Sequence, residues 1–305
     1  MDELKPARGR AQVRPRPDLR PVVSAERFDH RASSSRAAPT APARVGPSAT
    51  ITVGAGGSSE HLFRRLLGAY LSGGRQFSVI DLPEVTASTS EVVRTFCERT
   101  RGTWAVAEAA ATLHLVDLTD ERSVLLSGLL RRMGRLVLAL HRDAVDRWDK
   151  LPLGDDDDWT RRDDVLDREA WYLERVVAQR LDRGAVGSEL LGRWAVARSL
   201  ERIADHGTVL GSVGRRLADL PRGAGPLTSL RQLHAQAMEH LEGALAARDG
   251  AAANELLDVG EALLESGRAL SRRLVSASGD RSMSPATAAA VARTLDSIVR
   301  TVAYA

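Results

Sequence analysis

The sequence predicts a mostly helical protein of the α plus α/β class, in which a small two-layer α/β domain precedes two three-helix bundles. Three observations predict this fold. Hydrophobic residues make up 43% of the chain and aromatic residues only 4%, which favours helices packed through aliphatic ridges. From Thr119 onward, apolar residues recur mostly at three- and four-residue spacing. Residues 49–118 instead alternate short strand-like runs with amphipathic helical stretches.

Residues 1–48 differ in composition from the rest of the chain. They are rich in Arg, Pro, Ala and Ser, show no sustained period, and hold ten basic residues against five acidic ones. We predict a disordered basic tail, which either touches nucleic acid or anionic lipid or, more commonly for such segments, is only solvated. Subtracting its charge of +5 from the total of +3 leaves −2 for the remainder, which does not favour a general nucleic-acid-binding surface.

Cysteine content and hydropathy narrow the class further. Cys97 is the one cysteine of the chain, so neither an internal disulfide nor a cysteine-based zinc site is expected. No apolar run reaches the length of a membrane span, and the N-terminus lacks the apolar core of a signal peptide. We therefore expect a soluble cytoplasmic protein without direct membrane insertion, whose membrane association, if any, goes through a partner.

The small α/β domain is predicted over residues 49–118 in the order βαβαββ. Its second helix is expected to begin after a cap at Ser88 or Thr89. Between the first strand and helix, Gly54–Ser59 either forms a tight turn with a helix cap or holds an anion on backbone N–H groups. The predicted strands are 49–53, 76–82, 103–108 and 112–117, and the predicted helices are 58–71 and 89–100.

Six helices are predicted in the helical domain, residues 119–305, with a break at Pro221. The first three form one bundle (119–220) and the last three a second bundle (226–305). Asp249 and Ser284 are expected to cap the fifth and sixth helices. The inward-facing apolar positions are expected to include Leu125, Trp194 and Leu257. The predicted helices are 122–148, 161–181, 186–220, 226–247, 249–275 and 285–302.

Two pairs of acids in the first bundle carry the candidate chemistry. Glu201 and Asp205 are four residues apart on the third helix, and Asp163 and Asp167 have the same spacing on the second, so each pair lies on one helical face. Antiparallel packing of the two helices would place all four carboxylates on one surface. Such an all-oxygen set suits hard cations such as Mg²⁺, Mn²⁺ or oxidised iron, whereas acids at this spacing are more often a solvated face.

The segment Ala197–His206 resembles the PhoU family of phosphate-uptake regulators, whose helical bundles carry an acidic motif in the setting Ala-Arg-x-Leu-Glu-Arg-Ile-x-Asp-His. A similar sequence occurs in the sixth helix. There, Ala292–Arg300 keeps the first acid of the motif as Asp296 but has Arg300 in place of the second acid. Asp296 and Arg300 are expected to form an ion pair instead. Two sets of three helices with similar third members are the architecture of that family, and the order βαβαββ before them resembles its archaeal-type members.

The resemblance implies a regulator of phosphate uptake and phosphate homeostasis that acts on a phosphate ABC transporter, a phosphate-sensing histidine kinase, or both. It also implies an iron or zinc cluster at Asp163, Asp167, Glu201 and Asp205; for these acids manganese is a further candidate. The α/β domain would add a second contact or form a homodimer. Because no nucleophile with a supporting motif is present, we expect binding rather than catalysis. The alternatives are a helical adaptor outside phosphate signalling and a DNA-binding regulator that uses the basic tail.

Overall fold

A computed structural model describes residues 48–53, 58–109, 111–149, 156–217, 220, 225–247, 249–278 and 283–305. The prediction of a small α/β domain before a mostly helical region is confirmed. Residues 1–47, which include nearly all of the predicted basic tail, lie outside the described residues. The strands are β1 (Ser48–Val53), β2 (Gln76–Asp81), β3 (Thr103–Ala109) and β4 (Thr112–Asp117). The helices are α1 (Ser59–Leu71), α2 (Ala87–Arg99), α3 (Leu126–Asp146), α4 (Asp156–Asp182), α5 (Gly187–Leu217), α6 (Gly225–Ala246), α7 (Gly250–Ser278) and α8 (Pro285–Tyr304).

The four strands form a mixed sheet in the order β1-β2-β4-β3. Strand β1 is parallel to β2, while β4 runs antiparallel to both β2 and β3. A bulge at Val106 shifts the register between β3 and β4. Helices α1 and α2 cover one face of the sheet, where Phe96 packs edge-to-face against Phe77 and Tyr70 with ring centroids 6.0 and 6.2 Å apart. Strand residues facing the helices are therefore the core of this domain.

Helix-start chemistry was partly predictable. The side chains of Asp249 and Ser284 accept hydrogen bonds from backbone N–H groups of α7 and α8, as expected for N-caps. The expected cap of α2 was wrong: Thr86, three residues before Thr89, accepts the Thr89 N–H at 3.2 Å. Asp81 fixes this turn because its carboxylate accepts both the N–H and the hydroxyl of Thr86.

The helical region contains two mutually packed sets. Helices α3, α4 and α5 contact one another, α6, α7 and α8 do the same, and the sets meet through α5–α8 and α3–α6. Three predicted inward positions are wrong, because Leu125 precedes α3 and is 75% exposed, Leu257 is 66% exposed, and Trp194 is 38% exposed. Before Ala197, Leu190 is the one residue of α5 that is buried, so the beginning of this helix is largely uncovered.

A buried histidine pair joins α3 to α6. The Nδ1 atom of His141 and the Nε2 atom of His234 are 3.3 Å apart, and His141 Nε2 lies 2.8 Å from the carbonyl oxygen of Ile203 on α5. Because a carbonyl only accepts, His141 Nε2 donates and its Nδ1 accepts from His234. Burial lowers the pKa of His141 to about 4, which keeps this arrangement neutral. A Cβ atom at Gly207 would lie 2.8 Å from the His141 ring, so the contact requires glycine there.

Arg175 of α4 anchors the α/β domain to the helices. Its side chain is fully buried over the ring of Tyr70, 4.5 Å from the centroid, and it donates to the Tyr70 carbonyl. It also forms ion pairs with Asp117 at the end of β4 and with Glu121 in the short turn before α3. Arg75 forms a further ion pair with Glu121. Every charge in this cluster, the Arg175 joint, therefore has a partner of opposite sign.

Candidate functional site

The packing of α4 against α5 brings the four predicted acids together, and we call Asp163, Asp167, Glu201 and Asp205 the acid face. Burial, together with the negative charges of Asp163, Glu201 and Asp205, raises the pKa of Asp167 to about 6 despite the lowering effect of Arg99. Burial, followed by the charges of Glu201 and Asp163, likewise raises the pKa of Asp205 to about 6. At Asp167 and Asp205, nearby negative charges thus add to the effect of burial, and the repulsion is incompletely compensated.

Arg99, at the end of α2, supplies the closest positive charge to the α4 side of the acid face. Its guanidinium lies 2.7 Å from Asp164 Oδ1 and 2.8 Å from Asp167 Oδ2. It also lies over the rings of Phe63 and Trp171, at 5.7 and 5.2 Å from their centroids. An arginine with a planar stacking contact and two carboxylate partners is well oriented. The α/β domain therefore places its own cation beside these acids.

The α5 side of the acid face is less well paired. Arg198 and Arg202 approach Glu201 Oε2 only to 3.7 and 3.8 Å, and that buried oxygen has no hydrogen-bond partner among the residues that the structure describes. The Thr208 hydroxyl donates a long bond of 3.4 Å to Asp163 Oδ1. A buried carboxylate oxygen without a donor costs free energy. This part of the face therefore has acceptor capacity for a further cation or donor.

The acids do not form a ready-made metal centre. Across the described ranges, no three side chains of the types His, Cys, Asp and Glu converge so that they hold one ion. The Arg99 guanidinium also occupies one oxygen of Asp167. The donor chemistry, all carboxylate, suits a hard cation, but the acids would have to move closer together, and Arg99 would compete with the cation for Asp167.

The second helical set differs at the equivalent position. Arg300 Nε lies 3.0 Å from Asp296 Oδ2 on the exposed surface of α8, so the predicted ion pair is confirmed. His206 follows Asp205 in sequence, but its ring stacks on Tyr304 of α8 with centroids 6.0 Å apart. The side chain of His206 is thus directed to the contact between the two helical sets.

Sequence reasoning missed Arg99 and Asp164. Asp164 is adjacent to Asp163 in the sequence, but no local sequence feature indicated that Asp164 would contact the α/β domain. Arg99 is 68 residues from Asp167 and lies in another domain, so its role depends on how α2 packs against α4. A basic residue in the last turn of a helix is ordinarily explained by the helix dipole, which gave no reason to connect it with distant acids.

The glycine-rich loop proposed as an anion site falls largely outside the described residues, which resume at Ser58. Ser58 acts as the N-cap of α1 and accepts the His61 N–H at 3.2 Å. Of the acidic run 155–158, the side chain of Asp158 contacts Arg147 and Arg162, each at 3.2 Å. Asp158 therefore forms ion pairs at the beginning of α4.

No family model, no curated protein and no solved structure matches this chain. Among the helices that the structure describes, none is both long enough and apolar enough to cross a membrane. Fold and site together define a helical protein with an attached α/β domain and an incompletely neutralised acid face between α4 and α5.

Proposed function

We propose that this chain is a PhoU-like cytoplasmic regulator of phosphate uptake and phosphate homeostasis. The acid face carries the proposal, because it unites the two carboxylates of the Ala197–His206 motif with the pair at the start of α4. The two sets of three helices, with similar sequence motifs in α5 and α8, also support this proposal. We interpret these sets as two three-helix bundles of one PhoU-like domain. Its partners would be a phosphate ABC transporter, a phosphate-sensing histidine kinase, or both.

The proposed mechanism is docking rather than catalysis. The acids lie on two long, packed helices, and the side chains that contact them are arginines and Thr208, whose hydroxyl is held by Asp163 and by the Ala204 carbonyl. Such a surface binds a cation or a basic partner segment readily. In the proposed regulator, the partner would be attracted to the acid face by its negative charge. A bound cation or Arg99 neutralises part of that charge and would weaken the attraction.

Cation binding at Asp163, Asp167, Glu201 and Asp205 stays a prediction, with iron, zinc or manganese as the candidates. The contact between Arg99 and Asp167 makes the prediction specific, because the guanidinium competes with any cation for the Asp167 carboxylate. Replacing Arg99 with Gln removes the competing charge and should increase metal binding, whereas replacing two acids should decrease it. Both changes are made at part-exposed side chains, so the fold should tolerate them.

The first experiment is metal analysis of the purified chain by mass spectrometry. Wild type is compared with the Glu201→Gln/Asp205→Asn double variant and with Arg99→Gln, and Asp296→Asn on α8 serves as the matched control. Near-stoichiometric metal in wild type and the control, lost in the double variant and retained against a higher chelator concentration in Arg99→Gln, is the expected result. Metal content that is unaffected by the acid substitutions would refute the site.

The regulatory role is tested separately in a deletion strain of the source organism. Loss of the chain should alter phosphate uptake and the expression of phosphate-starvation genes, and wild type should restore both. Glu201→Gln/Asp205→Asn should fail to restore them, whereas the Asp296→Asn control should succeed. Unchanged uptake and unchanged starvation-gene expression in the deletion strain would rule out this role.

A helical adaptor outside phosphate signalling is the second candidate. Two observations favour it, since Arg300 replaces the second acid in α8 and Arg99 of the chain itself neutralises part of the acid face in α4. In that case the acids hold the α/β domain rather than a metal. The adaptor is supported if the deletion strain handles phosphate normally and the purified chain carries no metal in any variant.

A further inference from the structure

Among the described residues, no element covers one face of the four-stranded sheet. Helices α1 and α2 lie on the face formed by Ile51, Phe77, Val79, Leu113 and Leu115, all of which are buried. Strand residues alternate between faces, so the intervening positions point to the opposite side. We call this side the open face. Its strand residues are Ser48, Thr50, Thr52, Gln76, Ser78, Ile80, Trp104, Ala107, Ala109, Thr112, His114 and Val116.

None of the described strand residues on the open face is charged, although 27% of the residues of the whole chain are charged. The strand positions that do carry charge, Asp81, Glu108 and Asp117, alternate to the other side. Trp104 is 62% exposed, and Leu118, which continues the alternation just after β4, is 70% exposed. Depletion of charge together with an exposed tryptophan is the composition of the centre of a protein interface rather than of ordinary surface.

We propose that the open face binds the open face of a second copy of this chain. The polar groups on it are chiefly hydroxyls and one imidazole, each of which can both donate and accept a hydrogen bond. Such groups are complementary to themselves, as a two-fold symmetric interface requires. A partner with a charged surface would find no opposite charge here and would leave its own charges desolvated and unpaired. The chemistry of the face therefore fits its own copy best.

The position of the face leaves room for the second copy. Helix α4 packs against α1 and α2, so the helical region lies on the covered side of the sheet. Two uncovered sheets can then approach to the usual face-to-face distance of about 10 Å, which the small side chains of Ala107 and Ala109 permit. The proposal does not rest on phosphate regulation, and it leaves the acid face exposed to other partners.

The area of the face predicts a weak and reversible dimer. Four strands at about 4.8 Å spacing and six residues at about 3.4 Å rise give a footprint of roughly 400 Å² per copy. Two such footprints total roughly 800 Å², which is below the about 1,200 Å² of stable complexes even though Trp104 and Leu118 protrude and add to the contact. Association should therefore be weak and should depend on protein concentration within the micromolar range.

Sedimentation velocity of the full chain over about 1–100 µM tests the proposal. Wild type should shift from monomer to dimer, while Trp104→Glu and Ala107→Arg should each weaken association at least tenfold, because each places a charge on the face. The matched control is Leu191→Glu, which puts the same charge on an exposed apolar position of α5. Circular dichroism checks folding, and having two separate variants guards against misfolding of either one.

Several results would overturn the proposal. These are a monomer at every concentration, a dimer that persists in both open-face variants, or equal loss of the dimer in Leu191→Glu. Hydroxyl-radical footprinting can report on the remaining possibility: a monomer whose Trp104 side chain is protected from oxidation would mean that another part of the same chain covers the face. That result would also reject a second copy as the occupant.

Discussion

Arg175 of the joint and Asp167 of the acid face lie on the same helix, eight residues or about 12 Å apart, yet buried charge is compensated at one site and not at the other. In the joint, Arg175, Asp117 and Glu121 have fully buried side chains and every one is paired. In the acid face, burial is partial, Glu201 Oε2 has no hydrogen-bond partner, and the pKa values of Asp167 and Asp205 are raised to about 6. Balanced buried charge holds two domains together, whereas unbalanced charge leaves a surface ready for a partner.

The largest expected change in the free energy of unfolding is at the Arg175 joint. Arg175→Met keeps much of the side-chain volume but leaves Asp117 and Glu121 buried with less compensation, and breaking such a pair costs about 3–5 kcal/mol. The change should lower the urea midpoint strongly and loosen the α/β domain from α4. Urea unfolding followed by circular dichroism measures the loss. Arg64→Met is the control, because Arg64 forms an ion pair with Glu60 on the exposed surface of the α/β domain. A loss below about 1 kcal/mol for Arg175→Met would show that the joint is not an anchor.

A smaller effect of opposite sign is expected at the acid face. In Asp205 the folded-state pKa of about 6 exceeds the usual 3.8, so the charged form is disfavoured by folding. Stability therefore falls as pH rises from about 4 to about 6 and stays reduced above that range. Asp205→Asn removes this cost and should stabilise the metal-free protein at pH 7 by about 1 kcal/mol, allowing for partial exposure.

The pH dependence of that gain distinguishes charge repulsion from a packing effect. With chelator present to remove cations, the stability difference between Asp205→Asn and wild type should shrink towards zero near pH 4, where wild-type Asp205 is protonated. Urea midpoints at pH 4, 5, 6 and 7 measure the difference. A gain that is constant across this range, or a destabilisation at pH 7, would contradict the view of the acid face as unbalanced.

The same comparison separates what the sequence could predict from what it could not. Helix caps such as Asp249 and Ser284, and the four-residue spacing of the acids, are local features, so the residue order was enough. The carboxylate partners of Arg175 and Arg99 lie 54–68 residues away in sequence, and each contact depends on how the α/β domain packs against α4. Charged residues of this kind resemble ordinary surface positions in a helical pattern. The open face also required the strand order, which alternation alone does not give.

The smallest effect is expected at Asp296 and Arg300, the positions on α8 equivalent to Glu201 and Asp205. Both side chains are more than half exposed, at 62% and 55%, so water and salt screen their attraction. Arg300→Gln should change stability by no more than about 0.5 kcal/mol, and 0.5 M salt should reduce even that. The matching change on α5, Asp205→Asn, should give a larger and stabilising effect in the same urea assay. If Arg300→Gln instead changed the free energy of unfolding more than Asp205→Asn, burial of charge would not be the property that distinguishes the two helical sets. The acid face would then have no more unbalanced charge than the equivalent positions on α8.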